Sequence, residues 1–265
     1  RVAEFGVAFL DGLQAEGVMA FGKHFPGHGD TGIDSHIALP TVPHPLERLN
    51  AVEFVPFRAA IKNHVAGIMS AHAFFPAVDP TPQLAATLSR KALTDLLRGE
   101  MGYDGLLITD SLEMGALATS GYPTPKAALA ALNAGADLLL FNTGFEEHKK
   151  TIALIRESIQ RGETPMSRLD EAVRRILIAK QKFGLLNPPV QDAAQMAGNR
   201  AQTEDVMTAA REVAAKSITL LRDQQNALPI APSEKVYVIE TPALANFGKR
   251  IGASSINVDA EPTGA

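Results

Sequence analysis

A parallel α/β fold is predicted by two features of this 265-residue chain. Between residue 16 and about residue 185, short apolar runs alternate with amphipathic helical stretches, and the polar residues gather just after the apolar runs. The runs at 17–21, 66–71, 105–109 and 136–141 are apolar at successive positions, as strands covered on both faces require. Helical patterns follow at 46–63, 89–101, 125–134, 146–161 and 167–183. Ser89 and Ser167 stand where N-caps belong, Pro125 suits a first helical turn, and Gly102, Gly135 and Gly184 stand at C-caps. A further helix opens the chain, with Val2, Phe5, Phe9 and Leu13 on one stripe. Four such βα units make about half of a (β/α)8 barrel, which takes eight strands and roughly 250 residues. An open, doubly wound sheet gives the same alternation, and reactive residues at strand C-termini fit both architectures.

Beyond Leu186 the pattern changes. Asn187-Pro188-Pro189 and an Ala-rich polar stretch read as a linker, giving a first domain at 1–186, a linker at 187–203 and the start of a second α/β domain at 204–265. A helix is expected at 204–217, strands at 218–221 and 235–239, and a turn at 229–232; the small, polar residues 253–265 are expected to be disordered.

The net charge of −4 is small and its signs are mixed, so the chain has no basic footprint for nucleic acid or an anionic membrane. There is no cysteine, which excludes a disulfide framework and a thiolate zinc site and fits cytoplasm and periplasm equally. No run approaches the roughly 18 apolar residues of a membrane span. Arg1 stands where an initiator Met would and lies inside a helical pattern, so the natural protein is expected to begin earlier, with any signal peptide upstream of Arg1.

Polar chemistry is densest at 23–36, Lys-His-Phe-Pro-Gly-His-Gly-Asp-Thr-Gly-Ile-Asp-Ser-His, directly after an apolar run. Loops at the C-terminal ends of parallel strands carry catalytic groups because the strands aim them at a shared mouth. Pro26, Gly27, Gly29 and Gly32 let this loop bend sharply. In Asp34-x-His36 the carboxylate can accept from one imidazole nitrogen and orient the other for proton transfer. Taken alone, such a pair more often just locks a loop; Lys23 and His24 beside it shift the balance toward chemistry. Asp110 ends the apolar run Leu106-Leu-Ile-Thr109 and reads about equally as a nucleophile or ligand in the crevice and as an N-cap. Ser70 and His72 reach the same mouth, with His72 expected to support the site rather than react. His24, His28, Asp30, Asp34 and His36 also offer nitrogen and oxygen ligands for zinc or manganese, so a metal-dependent hydrolase is an alternative.

The stretch 23–36 resembles, without a gap, the K-H-F-P-G-H-G-D-T-x-x-D-S-H signature of the glycoside hydrolase family 3 β-N-acetylglucosaminidases. Gly67-Ile-Met-Ser-Ala-His72, residues 82–93 and Gly102-Tyr-Asp-Gly-Leu-Leu-Ile-Thr-Asp-Ser111 follow in the family's order, so the resemblance covers about residues 1–185. Ser217-Ile-Thr-Leu-Leu-Arg222 and Leu228-Pro-Ile230 resemble the entry to the α/β-sandwich domain of many members. The resemblance implies the C-terminal half of a (β/α)8 barrel followed by the start of that sandwich. It implies a retaining enzyme that removes terminal β-linked N-acetylglucosamine, in peptidoglycan fragments above all, with no cofactor and no metal. Asp110 would be the nucleophile, His36 the acid/base, Asp34 its orienting partner, and Lys23 and His24 the holders of sugar hydroxyls. The imidazole then replaces the second carboxyl of ordinary retaining glycosidases. A family 3 β-glucosidase, whose acid/base is a glutamate on the following domain, is made unnecessary by Asp34-Ser-His36, and a noncatalytic sugar-binding relic is disfavoured by the intact Asp34, His36 and Asp110. The family's further sugar-binding aspartate and arginines would lie upstream of Arg1, so this stretch alone is expected to hold an incomplete site.

Overall fold

The computed structural model describes residues 1–142, 144–188, 203–221, 223, 228–231, 234–240, 247–250 and 252–257. The chain divides into two compact units, Arg1–Pro189 and Val190–Ala265.

Helix α1 (Val2–Ala15) opens the first unit, followed by strand β1 (Phe21–Phe25). The strand starts where the expected run at 17–21 ends. The cause lies at the helix terminus: Gly17 adopts φ 77°, and the Gly17 and Val18 amides still donate to the Gln14 and Leu13 carbonyls, so the chain leaves the helix late. Lys23 and His24 are therefore strand residues rather than loop residues. The stretch expected as one helix at 46–63 is two, α2 (Leu46–Ala51) and α3 (Phe54–Lys62). Pro56 has no N–H to give the Val52 carbonyl and its ring crowds that carbonyl, which breaks the helix there.

Strand β2 (Gly67–Ser70) lies between β1 and β3 (Leu106–Thr109), all parallel and in chain order. Between β2 and β3 runs α4 (Lys91–Glu100), wound in the wider π form, and Ser89 Oγ accepts from the Ala92 N–H at 3.1 Å as a cap should. After β3 come α5 (Gly115–Thr119), α6 (Thr124–Ala134), α7 (Phe145–Gln160) and α8 (Met166–Lys182). Pro125 sits in the first turn of α6, while α8 starts directly after Pro165, so Ser167 lies inside its first turn and does not cap it.

The run at 136–141, expected as a fourth strand, joins the sheet through one parallel bridge, Ile108 to Leu138. The regular ladder is interrupted because the Asp137 carboxylate takes the Leu107 N–H at 3.0 Å and Thr109 Oγ1 takes the Leu140 N–H at 3.0 Å. Asp137 is fully buried and compensated by Arg98 at 2.7 Å, Arg168 at 2.9 Å and Arg175 at 3.3 Å, which tie α4 and α8 to the strand. One buried cluster packs Phe25, Phe54, Phe57, Ile68, Leu93 and Leu107; another joins Leu88, Leu112, Leu117 and Ala127, Ala128 and Ala131 of α6. Both hold the strand ends in fixed relation.

The second unit contains α9 (Thr203–Ser217) and two parallel strands, β4 (Tyr237–Glu240) and β5 (Ser254–Asn257), with α10 (Phe247–Arg250) between them. Residues 218–221 leave α9 without joining a sheet, unlike the strand expected there, and β5 occupies part of the stretch expected to be disordered. Most of the expected linker, Arg222 and residues 258–265 lie outside the described residues. No helix among the described residues is long and apolar enough to cross a membrane.

Candidate active site

The register pairs Lys23 with Met69, Phe25 with Ser70 and Ser70 with Thr109, so Lys23-His24, Ser70 to His72 and Asp110 emerge at one edge of the sheet. The ladder shifts between Lys23 and Phe25, which re-aims His24. Phe25 anchors the turn that follows by full burial in the core.

His24 Nε2 lies 3.3 Å from Asp110 Oδ2, with both side chains about four-fifths buried. Burial pushes the His24 pKa below its ordinary value against the pull of Asp110, and Lys23, His28 and His36 push the same way as burial. The lowered pKa keeps His24 neutral near pH 7, a close polar neighbour of the carboxylate rather than a fixed counter-cation. The other oxygen, Oδ1, accepts from the Ser111 N–H at 2.8 Å. That bond is to the adjacent residue, and the next helix starts only at Gly115, so Asp110 is a held strand-end carboxylate and not an N-cap.

Behind it, His72 is buried; Nε2 donates to the Ser111 carbonyl at 2.8 Å and Nδ1 lies 2.8 Å from the Thr87 hydroxyl, which itself donates to the Ala71 carbonyl at 2.9 Å. Burial holds the His72 pKa low despite the Ser111 carbonyl. His24 and His72 both sit below 6.5, so the unfolded chain binds more protons as pH falls through that value, and stability rises with pH across the window. Melting temperature is expected to fall between about pH 7 and about pH 5, with His72→Gln flattening the slope. A melting curve independent of pH there contradicts the neutral assignment.

In the loop, Asp34 Oδ1 accepts from the His36 backbone N–H at 2.9 Å and from His36 Nδ1 at 2.7 Å. The backbone bond first, then the ring bond, keep Asp34 below the usual carboxylate range. The pairing assigns the Nδ1 proton and leaves Nε2 for transfer. Both side chains are exposed, and among the described residues no hydrogen bond or ion pair joins this pair to His24 and Asp110.

The five residues weighed as metal ligands do not form one cluster: Asp34 and His36 pair with each other, and His28 and Asp30 bond elsewhere. His28 bonds Ser35 and Thr31 hydroxyls at 3.1 Å each, and Asp30 bonds His44 at 2.7 Å. Among the described residues no three His, Cys, Asp or Glu converge to hold a metal ion.

Lys23, His24, His28 and Asp30 line a cavity of about 600 Å³ floored by α1 and α3, together with Arg48 and Glu53. Asp34, His36 and Asp110 are not in its walls. Glu53, missed from the sequence, is buried with Oε1 3.2 Å from Arg48 and Oε2 without a partner. Its only sequence signal is a carboxylate just before the Pro56 break.

A strand-end carboxylate, a histidine against it and an exposed Asp–His pair on a βα loop are groups able to take and give protons, set at strand C-termini of a parallel α/β scaffold. Residues 1–179 match the glycosyl hydrolase family 3 N-terminal domain, and the chain belongs to glycoside hydrolase family 3. It is 34% identical over 98% of its length to a β-N-acetylglucosaminidase/β-glucosidase of Cellulomonas fimi, and 30% identical over 94% to β-hexosaminidase A of Pseudoalteromonas piscicida. A family 3 β-N-acetylglucosaminidase structure from Paenibacillus sp. str. FPU-7 superposes with a TM-score of 0.79 at 35% identity, covering 97% of this chain and 51% of that one. The chain spans 47% and 45% of the lengths of the two curated relatives.

Proposed function

We propose that the full-length protein is a retaining exo-β-N-acetylglucosaminidase, with peptidoglycan fragments as the source of its substrate. The names of the relatives support the sugar, and the carrying observation is the pair of sites at one sheet edge: Asp110 held by Ser111 with His24 beside it, and His36 held by Asp34. Asp110 attacks the anomeric carbon as the bond to the glycosidic oxygen breaks, and His36 Nε2–H gives that oxygen its proton. Water then attacks the same carbon, His36 takes the water's proton, and the Asp110 ester is released. Lys23 and His24, which line the cavity, hold sugar hydroxyls.

We further propose that the first unit is the C-terminal half of a (β/α)8 barrel and the second the start of an α/β-sandwich, with domains at 1–186 and 204–265. Parallel strands in sequential order, with the polar side chains at their C-terminal ends, fit the barrel. Val2, Phe5 and Phe9 of α1 are exposed, a surface suited to burial by further barrel elements.

A β-glucosidase is the competing reading because the Cellulomonas fimi relative carries both names. The full-length protein is expected to show a higher kcat/KM on 4-nitrophenyl N-acetyl-β-glucosaminide than on the corresponding β-glucoside. The reverse order sinks the assignment.

A further inference from the structure

We propose that Gly115 is a positioning residue for proton transfer: the Gly115-Ala116 step is the seat on which the turn carrying Asp34 and His36 rests. The inference depends on the acid/base role given to His36 above.

The turn is closed on itself, with the Ile37 and Ala38 amides donating to the Asp34 carbonyl at 3.0 and 3.2 Å. Its reactive side chains are exposed, so they do not fix its place; side-chain exposure is 59% for Asp34 and 74% for His36. Its backbone does. The Gly115 N–H donates to the His36 carbonyl and the Ala116 N–H to the Ser35 carbonyl, each at 3.1 Å, and Ser35 is buried with its hydroxyl on His28. The seat is itself rigid: Leu112, Ala116 and Leu117 are buried, and the Leu112 and Met114 amides are bonded to Leu140 and Ser111. Because the seat follows Asp110 within the same short segment, it sets where the His36 turn lies relative to the strand-end carboxylate.

Residue 115 must be glycine for contact rather than for backbone shape. Gly115 is not among the residues with positive φ. A Cβ there would lie 2.5 Å from the Ile37 oxygen and 2.6 Å from the His36 oxygen, both backbone atoms that cannot rotate away. One methyl group therefore lifts the turn off its seat while leaving Asp34, His36 and Asp110 chemically intact.

The test is a double-mutant cycle in the full-length protein with Gly115→Ala and His36→Ala, on aryl N-acetylglucosaminides with good and poor leaving groups. Gly115→Ala is expected to lower kcat on the poor leaving group by about 10²-fold, as a displacement on the order of 1 Å does, with KM nearly unchanged. Added to His36→Ala, it is expected to cost little more, since it acts through that residue. Equal losses on both leaving groups, or a full further loss in the His36→Ala background, overturn the inference. If His36→Ala itself shows no dependence on leaving group, the acid/base assignment falls and takes the inference with it; if only Gly115→Ala is silent, the inference alone falls. Hydrogen exchange of the unsubstituted protein gives a reading that does not need the variant to fold. Protected Gly115 and Ala116 amides support the seat, and exchange at unprotected rates overturns it.

Discussion

Asp110→Ala in the full-length protein is expected to lower kcat on an aryl N-acetylglucosaminide by about 10⁴-fold or more, the scale on which removal of a covalent nucleophile acts. The folded state should survive. Asp110 is partly exposed, and its loss leaves the Ser111 N–H, near the open strand edge, without its carboxylate acceptor, a cost of about 2 kcal/mol for a bond to a charged group. The same change removes no group that holds the sugar, although it takes away the neighbour of His24, so kcat is expected to fall far more than KM changes. A loss below tenfold, with the protein still folded, removes Asp110 from the chemistry and reassigns it to holding His24.

His36→Ala is the second large effect, and its signature is selectivity rather than size. General acid catalysis contributes roughly 10²- to 10⁴-fold, and it matters most when the departing oxygen is a poor leaving group. The variant is therefore expected to lose most of its activity on alkyl or sugar aglycones and much less on a nitrophenyl glycoside, whose departure needs little protonation. Equal losses on both contradict the acid/base role. Asp34→Ala should follow the same pattern more weakly, since His36 would keep its ring and lose the bond that assigns its Nδ1 proton together with the one that holds its backbone N–H.

The elements of this site differ in how much of them is local in sequence. Asp34 and His36 are two residues apart and their bond is a property of one tight turn, so the pair was legible at once. Asp110 was legible as the end of an apolar run, although its two roles separated only when the next helix was seen to begin at Gly115. The His24–Asp110 pairing was not legible, because it depends on β1 and β3 flanking β2 and on the ladder shift between Lys23 and Phe25. The seat at Gly115 was hidden for a related reason: one glycine between Met114 and Ala116 signals nothing until the backbone of residues 35–37 lies on it. In the fold, the offset of β1 came from backbone bonds at Gly17 that composition does not report. The division at Pro56 and the interruption at Asp137 each had a signal, a proline in a helical pattern and a carboxylate in an apolar run.

The central claim is that Asp110 carries the sugar covalently between the two halves of the reaction. Incubating the full-length protein with a fluorinated N-acetylglucosaminyl donor whose ester hydrolyses slowly, then mapping the digested peptides by mass spectrometry, tests it directly. One added sugar mass is expected on the peptide containing Asp110, and none in Asp110→Ala. A sugar attached to another carboxylate, or an enzyme that turns the donor over with inversion and no adduct, contradicts it.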